Sequence, residues 1–185
     1  KSVIDMAKKD IILSGVGGQG ILSIATVIGW AALDQNLHLK QAEVHGMSQR
    51  GGDVQSNLRI STERIWSDLI PKGECDLILS LEPMEALRYL PWLSKGGWIV
   101  TNSTPFVNIP NYPPVEEITA VLQKIGNVIT LDCDEIAKQT GSPRSANMVL
   151  LGASAAVLEI LDPEKLREGI TNVFSRKGEK IVEMN

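Results

Sequence analysis

A glycine-rich segment near the amino end has the residue types and spacing of a phosphate-binding loop. The run Gly15-Val16-Gly17-Gly18-Gln19-Gly20 fits the pattern G-x-G-x-x-G. It follows a short apolar run over residues 10–15 and precedes apolar residues at helical spacing over 20–35, which predicts a strand, a loop and a helix. Glycines there let the backbone approach a pyrophosphate, and the amides and dipole at the helix start stabilise the anion. The alternative is a tight strand-to-helix turn that binds nothing.

A second loop with glycines follows the next predicted strand, over residues 45–52. Its arginine carries a fixed cation beside two glycines, whose missing side chains leave room for a ligand or a partner backbone. We expect both loops to reach the same edge of the sheet, so the second loop predicts another wall of one site. The residues assigned to this wall are Ser48, Gln49, Arg50, Gly51 and Gly52. His45 stays open between a functional role and that of an ordinary loop histidine.

An NAD(P)-dependent oxidoreductase is the first alternative that the glycine pattern allows. Glu43 ends the second predicted strand, where an acidic residue can take a ribose hydroxyl. Two features weaken this interpretation: Gly18 loosens the turn, and Glu43 leads directly into the polar loop. Neither His38 nor His45 belongs to a convincing catalytic pair, and no lysine lies at helical spacing from Tyr89 or Tyr112. The sequence therefore predicts binding residues but no general acid, base or nucleophile.

The two cysteines, Cys75 and Cys133, are far apart and lie in or next to apolar runs. An iron–sulfur or zinc site needs about four ligands at close spacing, so this chain is not expected to hold one. We expect both to be buried free thiols.

Composition narrows the classes of partner. The formal net charge is −4 and the charges of opposite sign are interleaved, which argues against a nucleic-acid surface. The longest apolar stretches fall short of the roughly 20 residues that cross a bilayer, and residues 1–10 lack the apolar middle of a secretory signal. We expect a cytoplasmic protein with no nucleic-acid or membrane partner.

The elements that position the loops alternate along the chain. The residue pattern predicts strands and helices in turn. The predicted strands cover 10–15, 37–44, 54–60, 75–81, 98–101 and 128–131, and the predicted helices cover 20–35, 82–90, 115–125, 132–139, 145–160 and 163–174. Residues 61–64 are predicted to form a hairpin turn, and Pro91 and Gly96-Gly97 to act as breakers between the 82–90 helix and the strand at 98–101. The chain is therefore expected to be a single three-layer α/β/α domain over 1–185, with a Rossmann-like first turn and a mainly parallel sheet that the 54–66 hairpin makes mixed.

Two segments outside the loops are candidates for contact with a partner. Residues 104–114 hold four of the nine prolines, which predicts an extended excursion over the surface. Trp92, between Pro91 and the glycine pair, is a candidate docking anchor. The second alternative function is therefore that of a non-catalytic interaction subunit, in which the glycine loops form interface surfaces.

The paired loops resemble a known family. Residues 15–21, Gly-Val-Gly-Gly-Gln-Gly-Ile, followed by 43–52, Glu-Val-His-Gly-Met-Ser-Gln-Arg-Gly-Gly, are similar to the gamma subunit or domain of 2-oxoacid:ferredoxin oxidoreductases. The second motif most resembles the small, beta subunit of the indolepyruvate branch. The similarity covers nearly the whole chain, including Asn147-Met148 and residues 174–177.

The resemblance implies a multi-subunit enzyme that decarboxylates a 2-oxoacid on thiamine diphosphate, passes two electrons through iron–sulfur clusters to ferredoxin and gives the acyl group to coenzyme A. An arylpyruvate is the implied substrate. This chain has no Gly-Asp-Gly segment for the magnesium of thiamine diphosphate, so that cofactor, the magnesium and the clusters are expected on a large partner subunit.

The loops and the resemblance together predict a coenzyme A site. We expect amides of Gly17, Gly18 and Gly20 to meet the pyrophosphate and Arg50 to neutralise charge. Further residues are expected to line the site or to orient the ligand or the neighbouring subunit. They are Gly15, Gln19, Ser48, Gln49, Gly51, Gly52 and Asn147.

Overall fold

The computed structural model describes residues 7–45, 52–107 and 109–185. These residues form six strands and seven α-helices. The strands are β1 Lys8–Val16, β2 His38–His45, β3 Asp53–Ser61, β4 Cys75–Ser80, β5 Leu93–Asn102 and β6 Val128–Leu131. The helices are α1 Ile21–Asp34, α2 Pro83–Arg88, α3 Val115–Gln123, α4 Cys133–Gln139, α5 Ala146–Ser154, α6 Pro163–Phe174 and α7 Glu179–Met184.

All six strands belong to one sheet, in the order β2-β3-β1-β4-β5-β6. The strands β1, β4, β5 and β6 run parallel to one another, whereas β3 is antiparallel to both β1 and β2. The predicted mixed, mainly parallel sheet in a three-layer α/β domain is therefore confirmed.

Helices cover both faces of the sheet and bury two apolar clusters. Because successive strand residues point to opposite faces, Ile11 and Leu13 contribute to the larger cluster, under α1, α5 and α6. Ile12 lies between them in sequence and joins Ile78 in the smaller cluster, under α2 and α3.

Helix α1 connects the first glycine loop to this core. Its bounds confirm the predicted helix over 20–35, and it buries Ile24, Ala25 and Ile28 at helical spacing. Helix α6 crosses it at Gly169, where a Cβ would lie 3.0 Å from the Val27 carbonyl oxygen. The close packing of α6 therefore fixes the position of α1, the helix that follows the first glycine loop.

The predicted hairpin over residues 54–66 is wrong. Strand β3 ends at Ser61 and no strand follows it before β4. The Arg59 guanidinium donates to the carbonyl oxygens of Ser67 and Leu69, both at 3.1 Å, so the chain folds back across the sheet as an irregular segment. The sheet is mixed because β3 lies between β1 and β2.

The glycine pair Gly96-Gly97 is not a breaker before the strand, as predicted, because β5 begins at Leu93 and includes both glycines. Instead, the register against β4 shifts between Cys75 and Leu77, which marks a bulge. A Cβ on Gly97 would lie 2.8 Å from the Cys75 carbonyl oxygen. Glycine at this position therefore permits the two strands to approach each other.

The predicted helix over 145–160 is too long. Helix α5 ends at Ser154 and passes into a 3-10 turn over Ala155–Val157. The short helix α7 was not predicted. Among the helices of the described residues, none has the length and apolarity to cross a membrane.

Candidate functional site

The two glycine loops meet at the carboxyl edge of the sheet. The Gly17 amide, directly after β1, donates a hydrogen bond of 2.9 Å to the Gly52 carbonyl oxygen, directly before β3. The last residue of β2, His45, pairs with Val54 at the same edge. Ser48, Gln49, Arg50 and Gly51 lie outside the described residues, as does the side chain of His45. The expectation that both loops reach one edge is confirmed for their described ends.

This contact corrects the role predicted for Gly17. Its amide is already paired with Gly52, so it is not a free donor for a pyrophosphate. The bond instead ties the end of the second loop to the start of the first.

The Gln19 side chain also serves the fold. Its Oε1 accepts from the Val16 amide at 2.7 Å and its Nε2 donates to the Leu81 carbonyl oxygen at 3.1 Å. A Cβ on Gly15 would lie 2.8 Å from that Oε1, so Gly15 makes room for the Gln19 amide group. Gln19 thus joins the ends of β1 and β4. It also lines the cavity beside Gly18, so its role in orienting a ligand stays a prediction.

Gly20 and Asn147 form a matching pair on the other side of the loop. The Asn147 Nδ2 donates to the Gly20 carbonyl oxygen at 3.2 Å, and its Oδ1 accepts from the Met148 amide at 3.0 Å. Gly20 has φ of +86°, and a Cβ there would lie 2.7 Å from Asn147 Nδ2. Asn147 thus ties the start of α5 to the start of α1. We call Gly15, Gln19, Gly20 and Asn147 the closed half of the site.

Gly18 differs from these glycines. Its φ is +99°, and a Cβ there would meet no atom within 4 Å. In the described part of the chain, its amide has no hydrogen-bond acceptor. Gly18 therefore presents an exposed backbone to open space above the loop.

A cavity of about 410 Å³ opens beside Gly18. Its other side is the turn before α5, where the exposed Arg144 follows Pro143. Arg144 forms no ion pair with any described residue. The cavity therefore combines an unpaired cation with the backbone of the loop that leads into α1, whose first turn has no acidic side chain. We call Gly18 and Arg144 the open half of the site.

The floor of the cavity is polar and held in place by hydrogen bonds. Asn102, at the end of β5, donates from Nδ2 to the Asp134 carboxylate at 2.8 Å and accepts at Oδ1 from the Cys133 amide at 3.0 Å. Asp134 is only half-buried and keeps acceptor capacity for a ligand hydroxyl or amide. The cavity offers cationic and anionic walls, which suits a ligand with a phosphate at one end and donors at the other.

The strand order argues against a Rossmann dinucleotide site. In that fold, the strand bearing the ribose-binding acid lies directly beside β1. Here β3 lies between β1 and β2, and since neighbouring strands are about 4.8 Å apart, Glu43 is displaced by one strand, to about 10 Å from β1. Glu43 accepts from Gln41 Nε2 at 2.6 Å. The topology thus disfavours the NAD(P) alternative.

The buried cysteines confirm one sequence prediction. Cys75 and Cys133 are free and buried, and burial raises the thiol pKa of each to about 12. A neutral thiol is a poor nucleophile and a poor metal ligand. Within the described residues, no group of three or more potential ligands is arranged to hold a metal ion.

The proline-rich segment is anchored beside the site. Tyr112 donates its hydroxyl proton to Glu82 Oε1, and the Phe106 amide donates to the same oxygen at 3.4 Å. Glu82 is buried and its other oxygen accepts from the Glu85 amide at 2.8 Å, capping α2. Burial and the bond to Glu82 raise the pKa of Tyr112. The segment is thus held at the end of β4, with Phe106 and Val107 exposed.

The structure also separates the candidate aromatic anchors. Trp92 is half-buried and packs edge-on against Tyr89, with ring centroids 5.8 Å apart, so it belongs to the core. Trp66, in contrast, has 78% of its surface exposed.

Arg144 is the site residue that sequence reasoning missed. It stands alone between a proline and a serine and belongs to no motif. Only the packing of α5 against α1 brings this turn opposite Gly18, from more than a hundred residues along the chain. The nearest sequence signal is Asn147, three residues after Arg144, which belongs to the family resemblance described above.

The fold and this edge define an α/β domain with a glycine loop that is partly structural and partly open. Residues 10–185 match the family model described as pyruvate ferredoxin/flavodoxin oxidoreductase. The chain is 39% identical over 156 residues to the indolepyruvate oxidoreductase subunit IorB of Pyrococcus horikoshii, covering 80% of this chain and 77% of the relative.

Two solved structures share the fold. The gamma subunit of a keto/oxoacid ferredoxin oxidoreductase from Geobacter sulfurreducens superimposes with a TM-score of 0.64, at 25% identity and over 95% of each chain. A 2-oxoglutarate:ferredoxin oxidoreductase from Magnetococcus marinus has a TM-score of 0.71 at 22% identity, covering 96% of this chain and 29% of that chain. The chain therefore belongs to the pyruvate ferredoxin/flavodoxin oxidoreductase family, as a small subunit of a 2-oxoacid:ferredoxin oxidoreductase.

Proposed function

We propose that this chain contributes the phosphate-binding wall of the coenzyme A site in a 2-oxoacid:ferredoxin oxidoreductase whose substrate is indolepyruvate or another arylpyruvate. The observation that carries the proposal is the open half of the site. Gly18 and Arg144 face one cavity at the carboxyl edge of the sheet, where open α/β sheets bind ligands.

The residues present fit the diphosphate of coenzyme A. Gly18 lets a phosphate oxygen approach its amide because no side chain intervenes. The uncapped first turn of α1 adds the positive end of a helix dipole, and the Arg144 guanidinium supplies planar donors for a second oxygen. Amides and an arginine on opposite sides of the group would hold it without any group on this chain that does acid–base chemistry.

The rest of coenzyme A would extend across the cavity. The Asp134 carboxylate is placed to accept a hydrogen bond from a hydroxyl or amide of the ligand, while Asn102 keeps Asp134 in position. The second loop would close the opposite side, with Arg50 neutralising a further phosphate and Ser48 and Gln49 adding neutral hydrogen bonds. The solved Magnetococcus protein, which shares this fold, contains bound coenzyme A.

The remaining cofactors belong to the proposed partner. Bound on a large subunit, thiamine diphosphate with its magnesium would supply the decarboxylation chemistry, and iron–sulfur clusters the path of two electrons to ferredoxin. The role of this chain is to bind and orient coenzyme A against that subunit and to exclude water from the shared site. Residues 1–185 would act as one gamma-type domain of a cytoplasmic complex.

The substrate assignment rests on relatives. The Pyrococcus protein is an indolepyruvate oxidoreductase subunit, whereas subunits of ketoisovalerate and 2-oxoglutarate enzymes match at 31% and 29% identity. The greater similarity to the indolepyruvate subunit favours an arylpyruvate.

The test is ferredoxin reduction by the chain assembled with its large subunit, using indolepyruvate, pyruvate and 2-oxoglutarate in turn. We expect activity that requires coenzyme A and is highest with indolepyruvate. Arg50→Ala should raise the KM for coenzyme A by about tenfold, as expected for loss of one charge-assisted contact. Coenzyme A-independent activity, or transfer of electrons to NAD instead, would overturn the proposal. An unchanged KM would support a purely structural subunit.

A further inference from the structure

The edge of the sheet opposite the glycine loops carries an ordered segment between β3 and β4. The Arg59 side chain holds this segment through the carbonyl oxygens of Ser67 and Leu69 and forms a paired contact with the buried Asp10, at 2.8 and 3.1 Å. Ile70, near its end, is buried in the smaller core cluster. The backbone on both sides of residue 66 is therefore fixed to the domain.

This fixed segment presents an exposed tryptophan. Trp66 is 78% exposed and Leu69, three residues later, is 58% exposed. The Arg64 guanidinium lies 4.1 Å from the indole centroid, which orients the ring through a cation–π contact. A large aromatic side chain held on a rigid backbone loses little entropy when it binds, as in the energetic centres of protein interfaces.

The cleft beside the indole is basic. It has a volume of about 260 Å³ and is lined by His38, Leu39, Lys40, Arg64, Ile65 and Trp66. No carboxylate lines it, and neither Lys40 nor Arg64 forms an ion pair with a residue in the described ranges. The acidic Glu63 lines the neighbouring cleft on the other side of Trp66. The unpaired cations sit next to the apolar ring in a chain whose net charge is −4.

We propose that Trp66, Lys40 and Arg64 form a docking platform for another subunit of the complex, which presents an apolar side chain flanked by carboxylates. The apolar group packs on the exposed face of the indole, and the carboxylates pair with Lys40 and Arg64. The platform lies at the amino edge of the sheet, away from the proposed coenzyme A site, so one subunit would bind the ligand at one edge and be held in the assembly by the other.

Charge decides between this partner and a second copy of the chain. In a two-fold interface between identical surfaces, each patch meets itself. Because no carboxylate lines this cleft, the copy's cleft would offer Lys40 and Arg64 only further cations, which is unfavourable. A partner with acidic residues at its contact surface satisfies both cations.

The experiment measures the affinity of the full chain for its large subunit at low and high salt; the inference rests on the proposed subunit role. Trp66→Ala should weaken binding by about tenfold or more, whereas the control Val121→Ala, on the exposed face of α3, should change it less than about twofold. Lys40→Glu with Arg64→Glu should slow association strongly at low salt and less at high salt, with Lys124→Glu as the charge control. Thermal unfolding of each variant checks that the fold is intact.

The outcomes separate the two proposals. If the unmodified chain does not bind a large subunit at all, the proposed function fails. If it binds and Trp66→Ala behaves as Val121→Ala does, the platform is refuted. Sedimentation of the chain alone completes the test, because self-association abolished by Trp66→Ala would assign the surface to a second copy and overturn the proposed partner.

Discussion

The closed and open halves of the glycine loop differ in what their glycines are for. In the closed half, Gly15 and Gly20 leave space that the amide groups of Gln19 and Asn147 fill, at would-be Cβ distances of 2.8 and 2.7 Å. In the open half, Gly18 has nothing within 4 Å of a would-be Cβ and faces the cavity that Arg144 lines.

One glycine motif can therefore combine positions that build the fold with a position that stays open to a ligand. The side-chain amides of Gln19 and Asn147 form hydrogen bonds with neighbouring backbone groups. These bonds fix the loop and the starts of α1 and α5. Gly18 lies in this loop at φ of +99°, with open space around a would-be Cβ. A preorganised backbone donor costs little to use when a ligand arrives.

The largest effect on stability is expected for Gly20→Ala. The substitution places a side chain in the left-handed region and against Asn147, so we expect a loss of about 2–4 kcal/mol in the free energy of unfolding. Urea unfolding of the purified chain measures it.

Gly18→Ala is the matched control, because it has the same backbone strain without the contact. It should cost about 1–2 kcal/mol. Adding Asn147→Ala to Gly20→Ala should recover part of the loss, since it removes the clashing amide. Equal losses at the two glycines, with no recovery in the double variant, would mean that the two halves do not differ.

A smaller loss is expected for Gln19→Glu. The carboxylate keeps an acceptor for the Val16 amide but cannot donate to the Leu81 carbonyl oxygen, which is left facing a negative charge. We expect a loss of about 1–3 kcal/mol. Gln123→Glu, at the exposed last residue of α3, controls for the added charge, and a loss no greater than that of the control would argue that Gln19 is not a structural tie.

The two thiols report on the two edges of the sheet. Cys133 lies beside the cavity floor, where its amide donates to Asn102, whereas Cys75 begins β4 at the other edge. Both should react with dithiobis-nitrobenzoate far more slowly at pH 8 than after unfolding, because burial raises each pKa to about 12. Coenzyme A should slow labelling of Cys133 further and leave Cys75 unchanged. Equal protection of both thiols would point to a general rather than a local effect.

The raised pKa values of the two thiols also determine how the stability of the fold depends on pH. The folded-state pKa of each thiol lies above its ordinary value of 9.0. The stabilisation that this shift provides is fully present below pH 9 and is lost as the pH rises toward about 12. Urea unfolding over this range should therefore show falling stability, and less so in Cys75→Ala.

Much of the fold could be predicted because local patterns determine it. The apolar spacing of α1 and the apolar run of β1 need no tertiary information. The segment after β3 was mistaken for a hairpin because its path depends on hydrogen bonds from Arg59 to Ser67 and Leu69. Similarly, Gly97 resembles a strand breaker in sequence, but in the structure it permits close approach to Cys75.

The site could be predicted only in part, for a related reason. The glycine spacing locates the loop but does not distinguish Gly18 from Gly20, since that difference depends on Asn147 in a distant helix. Arg144 enters the site only through the packing of α5, which no local pattern encodes. The sequence likewise predicts Gly17 as a free donor, because its pairing with Gly52 is a tertiary contact.

The central claim is that the open half binds the phosphates of coenzyme A, and a binding titration with the assembled complex tests it most directly. Arg144→Ala should weaken coenzyme A binding by about tenfold with little change in stability, because the side chain is exposed. Arg176→Ala, which removes an exposed cation from the 3-10 turn after α6, should leave the affinity unchanged. Equal affinities for the Arg144→Ala and Arg176→Ala complexes and the unmodified complex would contradict the claim.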